Sequence, residues 1–154
     1  MNMLEQVKKN ISGIANDQNF LETTNRWLCE AIQHNYAMNF TWLDRPIIQV
    51  PQDIYAIQEL IWKVKPDLVI ETGIAHGGSL IMSASMLALL DYSEAAQTGS
   101  VLTPQESNRK VLGVDIDIRS HNRTAIESHP MSHLIEMIEG STVVCNSNYS
   151  SKTL

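Results

Sequence analysis

Apolar positions divide the chain into two amphipathic stretches followed by three short, unbroken hydrophobic runs. Over residues 19–36, Leu21, Trp27, Leu28, Ala31 and Ile32 fall largely on one side of a helix, with Glu22, Arg26, Glu30 and Gln33 elsewhere. The pattern predicts a helix packed on the main body. Pro51 suits a first helical turn, and Ile54, Ile57, Leu60, Ile61 and Val64 then form a second stripe that runs up to Pro66. The runs 68–70, 110–114 and 134–138 do not alternate, which is the pattern of strands covered on both faces of a parallel sheet. Helical segments over 79–92 and 121–128 lie between them, the second stopped by His129-Pro130. The predicted order is β-α-β-α-β, one mononucleotide-binding half of a doubly wound α/β sheet, preceded by two helices and incomplete after three strands.

The remaining stretches carry weaker patterns. Residues 38–49 mix Phe40, Trp42, Ile47 and Ile48 around an Asp44-Arg45-Pro46 turn and read as an irregular arm, with Trp42 anchoring it to the core. Residues 93–109 are polar, include Gly99 and Pro104, and read as a mobile surface loop. Residues 145–154 have neither a helical nor a strand period and read as disordered.

A chain of 154 residues with 44% hydrophobic content buries one core. The expected organisation is one structural domain over 1–144, made of a helical segment and arm (1–66) and a half-domain (67–144), with 145–154 outside it. A net charge of −6 without a Lys/Arg cluster argues against a nucleic-acid partner. The first ten residues lack the apolar core of a signal peptide, and the apolar stretch 80–90 falls short of the roughly 18 residues of a membrane span. Cys29 and Cys145, far apart, suggest reduced thiols and a cytoplasmic setting. His121, His129 and His133 read as ordinary surface histidines, because Pro130 breaks any helix that would align the last two.

Candidate chemistry sits where the first strand ends. Leu68 to Leu80 reads Leu-Val-Ile-Glu-Thr-Gly-Ile-Ala-His-Gly-Gly-Ser-Leu, a strand, a small-residue turn and a helix start. Gly73, Ala75, Gly77 and Gly78 leave little bulk there, so a ligand can touch backbone, and the free N–H groups of the helix's first turn favour electron-rich ligand atoms. Glu71 would repel a pyrophosphate and suits a ligand bearing an ammonium or sulfonium charge. Counted from Gly73, the turn partly fits the dinucleotide fingerprint G-x-G-x-x-G, and counted from Glu71 it resembles the first motif of S-adenosylmethionine-dependent methyltransferases. A tight turn of some other α/β protein is a third reading. Asp115, at the end of the second strand, is placed to accept hydrogen bonds from ribose hydroxyls, although it lies 42 positions after Gly73 against about 20 in the compact unit. The alternative is that Asp115 or Asp117 caps the next helix.

Several segments in order resemble the cephalosporin hydroxylase/rhamnosyl O-methyltransferase family. They are Asn39-Phe40-Thr41-Trp42-Leu43, Arg45-Pro46-Ile47-Ile48-Gln49, Pro51-Gln52-Asp53, Lys65-Pro66-Asp67, the Glu71–Leu80 turn, Gly113-Val114-Asp115-Ile116-Asp117-Ile118-Arg119, His121-Asn122-Arg123 and Ile138-Glu139-Gly140-Ser141. The likeness runs from about Asn35 to Ser141. It implies a Rossmann-like, S-adenosylmethionine-dependent O-methyltransferase acting on a sugar hydroxyl of a glycolipid or polysaccharide, or on a natural product. By position, Glu71, Gly73, Ala75, His76, Gly77 and Ser79 would line the methionine and ribose end, Asp115 and Asp117 would serve the ribose, and Glu139, Gly140 and Ser141 would lie near the adenine. The resemblance also implies a small-molecule or glycan acceptor, a cytoplasmic location that includes the inner face of the plasma membrane, and in longer relatives Mg2+.

Family members continue past Glu-Gly-Ser with further strands and helices that carry most metal-binding and proton-removing residues, whereas here an unrelated polar tail is expected after about Thr142. A truncated or frame-shifted product, without the Mg2+ ligands and of doubtful activity, is therefore one expectation. Two alternatives stay beside it. One is a non-catalytic fragment that assembles with a partner or as a homo-oligomer through an open strand edge, and the other is a nicotinamide-dinucleotide-binding protein, disfavoured by Glu71.

Overall fold

The structure, a computed structural model, describes residues 2–141; the expected disorder over 145–154 lies outside the described residues. The chain falls into two compact units, one up to Ala37 and one from Met38 onward.

The first unit holds two helices, α1 (Met3–Asn16) and α2 (Gln18–Gln33). The amphipathic stripe predicted over 19–36 corresponds to α2, which ends earlier because Asn35 turns left-handed (φ 52°) before a short 3₁₀ turn at Tyr36–Met38. Helix α1 was not foreseen in the sequence. Asn2 Oδ1 accepts from the Glu5 N–H at 2.9 Å while the Glu5 carboxylate accepts from the Asn2 N–H at 3.0 Å, a reciprocal capping box. Asp17 follows α1 and caps α2 by accepting from the Phe20 N–H at 3.0 Å. Within the unit, Trp27 meets Tyr36 edge-on at 5.5 Å.

The second unit opens with a hairpin where the sequence suggested an irregular arm. Strands β1 (Phe40–Trp42) and β2 (Arg45–Ile47) pair antiparallel, with Phe40 opposite Ile47 and Trp42 opposite Arg45. The two connecting residues, Leu43 (φ 45°) and Asp44 (φ 67°), are both left-handed. A two-residue hairpin loop with positive φ at both positions matches strand twist but normally uses Asn or Gly, so composition concealed it. Trp42 packs against the core and its indole N–H donates to Ser85 Oγ at 3.0 Å, as expected of an anchor.

Helix α3 (Pro51–Val64) then leads through Lys65, left-handed at φ 50°, into β3 (Leu68–Thr72). Helix α4 (Gly78–Thr98), β4 (Lys110–Asp115), α5 (Ser120–Glu127), a 3₁₀ turn at Pro130–Leu134 and β5 (Ile135–Glu139) follow. The three strands are parallel in the order β3-β4-β5, in register Val69–Val111 and Val114–Ile138. This is the predicted β-α-β-α-β unit, a Rossmann-like, incomplete parallel sheet. Ile61 of α3, Leu80, Ile81, Leu87 and Leu90 of α4, Val111 of β4 and Ile126 of α5 make the core.

Two expectations need correction. Coverage on both faces holds for central β4, where Val111, Leu112 and Val114 are 0%, 4% and 4% exposed, but not for β3, where Leu68 and Ile70 are 40% and 60% exposed. Among the described residues β3 has a neighbour on one side only, and its Leu68/Ile70 side is left open. The expected loop over 93–109 is shorter, because α4 continues through Ala95 and Ala96 to Thr98 and stops at Gly99 (φ 69°). What remains is fastened rather than loose. Arg109 pairs with Asp91 and, at 2.6 Å, with Glu94, and Ser107 Oγ donates to Asp91 at 2.6 Å. Among the described residues no helix is long and apolar enough to cross a membrane.

Candidate functional site

Parallel strands present their carboxyl ends at one edge of the sheet, and there β3 delivers Glu71 and Thr72 into the turn that precedes α4. Backbone anchors fix the turn's shape. The Gly73 N–H donates to Val114 O at 2.8 Å, the Ile74 N–H donates to the Asp115 carboxylate at 2.6 Å, and the Gly77 N–H donates back to Ile74 O at 2.8 Å. Gly73 and Gly77 have φ of 84° and 80°, and Ala75 is left-handed at 46°. The turn therefore needs three residues in a region that costs an L side chain about 1–2 kcal/mol, and only two of them are glycine.

The small residues serve different neighbours. A Cβ on Gly73 would meet nothing within 4 Å, so this is the position where a ligand can approach backbone. A Cβ on Gly77 would lie 2.3 Å from Ile126 of α5, and one on Gly78 would lie 2.3 Å from Pro46 O of β2. Those two glycines are small because protein packs against them on one side, and both also line the cavity around the turn.

A cavity of about 340 Å³ surrounds the turn. Glu71, Gly73, Ala75, His76, Gly77 and Ser79 line it together, with Pro46 of β2, Ile48 and Gln49 just after it, Ile57 of α3 and Met82 of α4. Six of the predicted site residues are thus gathered in one place. The Ser79 hydroxyl donates to Glu71 Oε1. Burial pushes the Glu71 carboxyl above its ordinary 4.5, against the Ser79 hydrogen bond, which lowers it. The first turn of α4 has no side-chain cap, and two of its residues, Gly78 and Ser79, line the cavity.

The other predicted residues lie at the ends of β4 and β5 rather than in the cavity lining. Asp115 sits between the two groups: one carboxylate oxygen takes the Ile74 N–H and the other takes the Asp117 N–H at 3.2 Å. The Ile74 hydrogen bond is the main reason the Asp115 carboxyl is held below its ordinary 3.8, with burial opposing. Asp115 is not a helix cap, since α5 begins at Ser120. Glu139 stands opposite Asp115 in the sheet and pairs with Arg123 at 3.3 Å, while the Gly140 N–H donates to Asp115 O at 2.8 Å and Ser141 follows. Among the described residues no group of three or more His, Cys, Asp or Glu is placed to hold a metal ion. His129 is engaged elsewhere: its Nδ1 accepts from the Met131 N–H at 3.1 Å, so its Nε2 carries the proton and donates to Leu43 O at 3.0 Å.

Reasoning from the turn alone missed Arg45 and Asn122. Arg45 donates to His76 O through Nε at 3.1 Å and through Nη2, and Asn122 donates to Ala75 O at 2.8 Å. The only signal for them was their place in the family-like segments.

A parallel sheet with a glycine turn and an acid at its carboxyl edge places the chain among the Rossmann-like α/β proteins. More narrowly, the rhamnosyl O-methyltransferase/CmcI family model matches residues 34–148, well over half of the sequence, and the chain belongs to that family. The match ends beyond Ser141, inside the stretch expected to be an unrelated tail. No curated protein matches the chain. Among solved structures, one described as cmcI-N160 SAH is similar at 16% identity and a TM-score of 0.44, over 66% of this chain. The chain spans 43% of the length of that structure.

Proposed function

We propose that this chain carries the S-adenosylmethionine-binding part of an O-methyltransferase, and that the cofactor occupies the cavity around residues 73–79. The observation that carries the reading is the meeting, in one cavity, of a turn open to ligand at Gly73 with an acidic side chain at the strand end. Membership of the rhamnosyl O-methyltransferase/CmcI family supports the activity class. A volume of about 340 Å³ falls within the range of about 300–1,000 Å³ typical of small-molecule sites.

Bound there, S-adenosylmethionine supplies an electrophilic methyl group to an acceptor hydroxyl. The chain's part is to bind and align. Ser79 orients the Glu71 carboxylate toward a cationic group, the open first turn of α4 receives electron-rich atoms, and Ile48, Ile57 and Met82 give an apolar wall that excludes water. Asp115 and Asp117 extend the site toward a ribose, and Glu139, Gly140 and Ser141 toward an adenine. The acceptor is a sugar hydroxyl of a glycolipid or polysaccharide, or a hydroxyl of a natural product. A negatively charged side chain at the strand end disfavours the pyrophosphate of a nicotinamide dinucleotide.

Calorimetric titration of the folded chain with S-adenosylhomocysteine and, separately, with NAD tests the reading. Saturable binding of the first without the second is expected; NAD binding without S-adenosylhomocysteine binding would overturn it.

A further inference from the structure

The turn's shape is held from outside by two side chains on two different elements. Arg45 of β2 donates to His76 O through both Nε, at 3.1 Å, and Nη2. Asn122 of α5, only 4% exposed, donates to Ala75 O at 2.8 Å, and its Oδ1 takes a second hydrogen bond from Arg45 Nη2 at 3.3 Å. Two successive carbonyls are therefore drawn to the same side of the turn by a linked donor pair. Peptide planarity then sends the His76 N–H away from Asn122. The same pair restrains Ala75, left-handed at φ 46° without being glycine, a conformation that persists only where its surroundings over-determine it.

The hairpin is built to deliver Arg45 to this point. The backbone of β2 approaches so closely that a Cβ on Gly78 would lie 2.3 Å from Pro46 O and 2.7 Å from Ile47 Cα. Ile47, 1% exposed, fixes that approach, and Pro46 is at once part of β2 and part of the cavity wall.

We propose that Arg45 and Asn122 are positioning residues for cofactor binding: they hold the Ala75–His76 peptide in the orientation that the cofactor reads, without touching the cofactor themselves. The inference rests on the reading of the cavity as an S-adenosylmethionine site. Arg45→Met removes the donors while keeping the stem, Arg45→Lys keeps one donor, and Asn122→Asp removes the donor to Ala75 O.

The test measures S-adenosylhomocysteine affinity by calorimetry and the His76 and Gly77 amide signals of the ligand-free protein by NMR, in the wild type and in folded variants. Arg45→Met and Asn122→Asp are expected to weaken binding at least tenfold and to shift both amide signals, with Arg45→Lys intermediate. Adding Ala75→Gly to Arg45→Met should recover a large part of the affinity, since glycine adopts the left-handed conformation without restraint. Affinities are compared at a temperature where every variant is fully folded, so that the strain glycine relieves is not read as a general gain in stability. Binding within twofold of wild type in a folded Arg45→Met protein, or no recovery with Ala75→Gly, would overturn the proposal. If Arg45→Met does not fold, Arg45→Lys carries the same comparison. If the wild type itself fails to bind S-adenosylhomocysteine, the cofactor reading fails, and amide signals unmoved in Arg45→Met would separately overturn the clamp.

Discussion

Glu71 and Asp115 are both acids at strand ends, yet their surroundings push them in opposite directions. Burial raises the Glu71 pKa above 4.5, with Ser79 opposing. The folded protein thus holds this proton more tightly than the unfolded chain, and the stability it contributes below pH 4.5 is lost as pH rises through the raised folded value. Asp115 runs the other way. The Ile74 N–H holds its pKa below 3.8, so its contribution is present above that value and is lost as pH falls through the lowered one. The functional consequence belongs to Glu71. S-adenosylmethionine carries a sulfonium charge that S-adenosylhomocysteine lacks, and only an ionised Glu71 can favour it. The affinity ratio of the two ligands should therefore shift toward S-adenosylmethionine as pH rises through the Glu71 pKa, by about fivefold for a partly exposed pair worth about 1 kcal/mol. Glu71→Gln should flatten that dependence. Calorimetry with both ligands between pH 4.5 and 8 measures it, and an unchanged ratio across the range would remove Glu71 from the role.

At the scale of elements, the hairpin is the piece whose local sequence agrees least with its shape. Leu43 and Asp44 occupy the two left-handed positions of its loop, and the Leu43 side chain is 51% exposed and packs little. Replacing the pair by the Asn-Gly such loops prefer (Leu43→Asn with Asp44→Gly) should stabilise the protein by about 1 kcal/mol, seen as a higher Tm at unchanged helix content. A lower Tm would mean that Leu43 is held by more than its backbone. This mismatch also explains why β1 and β2 were not legible in the sequence while α3, β4 and α5 were. Strand β4 carries an unbroken apolar run, α3 a helical stripe and α5 a clear stop at His129-Pro130, whereas β1 and β2 have three residues each and a loop with no Gly or Asn. Helix α1 escaped for a related reason: its cap at Asn2 and Glu5 is local and short, and no residue of the helix is buried.

For the whole molecule, the sheet's order and the position of the turn followed from the pattern of apolar runs, and six candidate residues line one cavity. What the sequence could not convey is which neighbour each small residue admits. Gly77 and Gly78 look alike in a motif, and only the packing of Ile126 and of the β2 backbone against them distinguishes them from Gly73. Asp115 likewise reads as a ligand-facing acid in one dimension, and in three it is also the link between the end of β4 and the Ile74 N–H. Arg45 and Asn122 stand 77 positions apart and meet only because the hairpin and α5 flank the same turn.

The claim that the turn over 73–79 is a cofactor site is tested most directly by amide NMR of the ¹⁵N-labelled chain during titration with S-adenosylhomocysteine. The account predicts saturable shifts concentrated at Gly73, His76, Gly77, Ser79 and the neighbouring Asp115. Shifts confined to other parts of the chain, or a folded protein with no shifts at all, would contradict it.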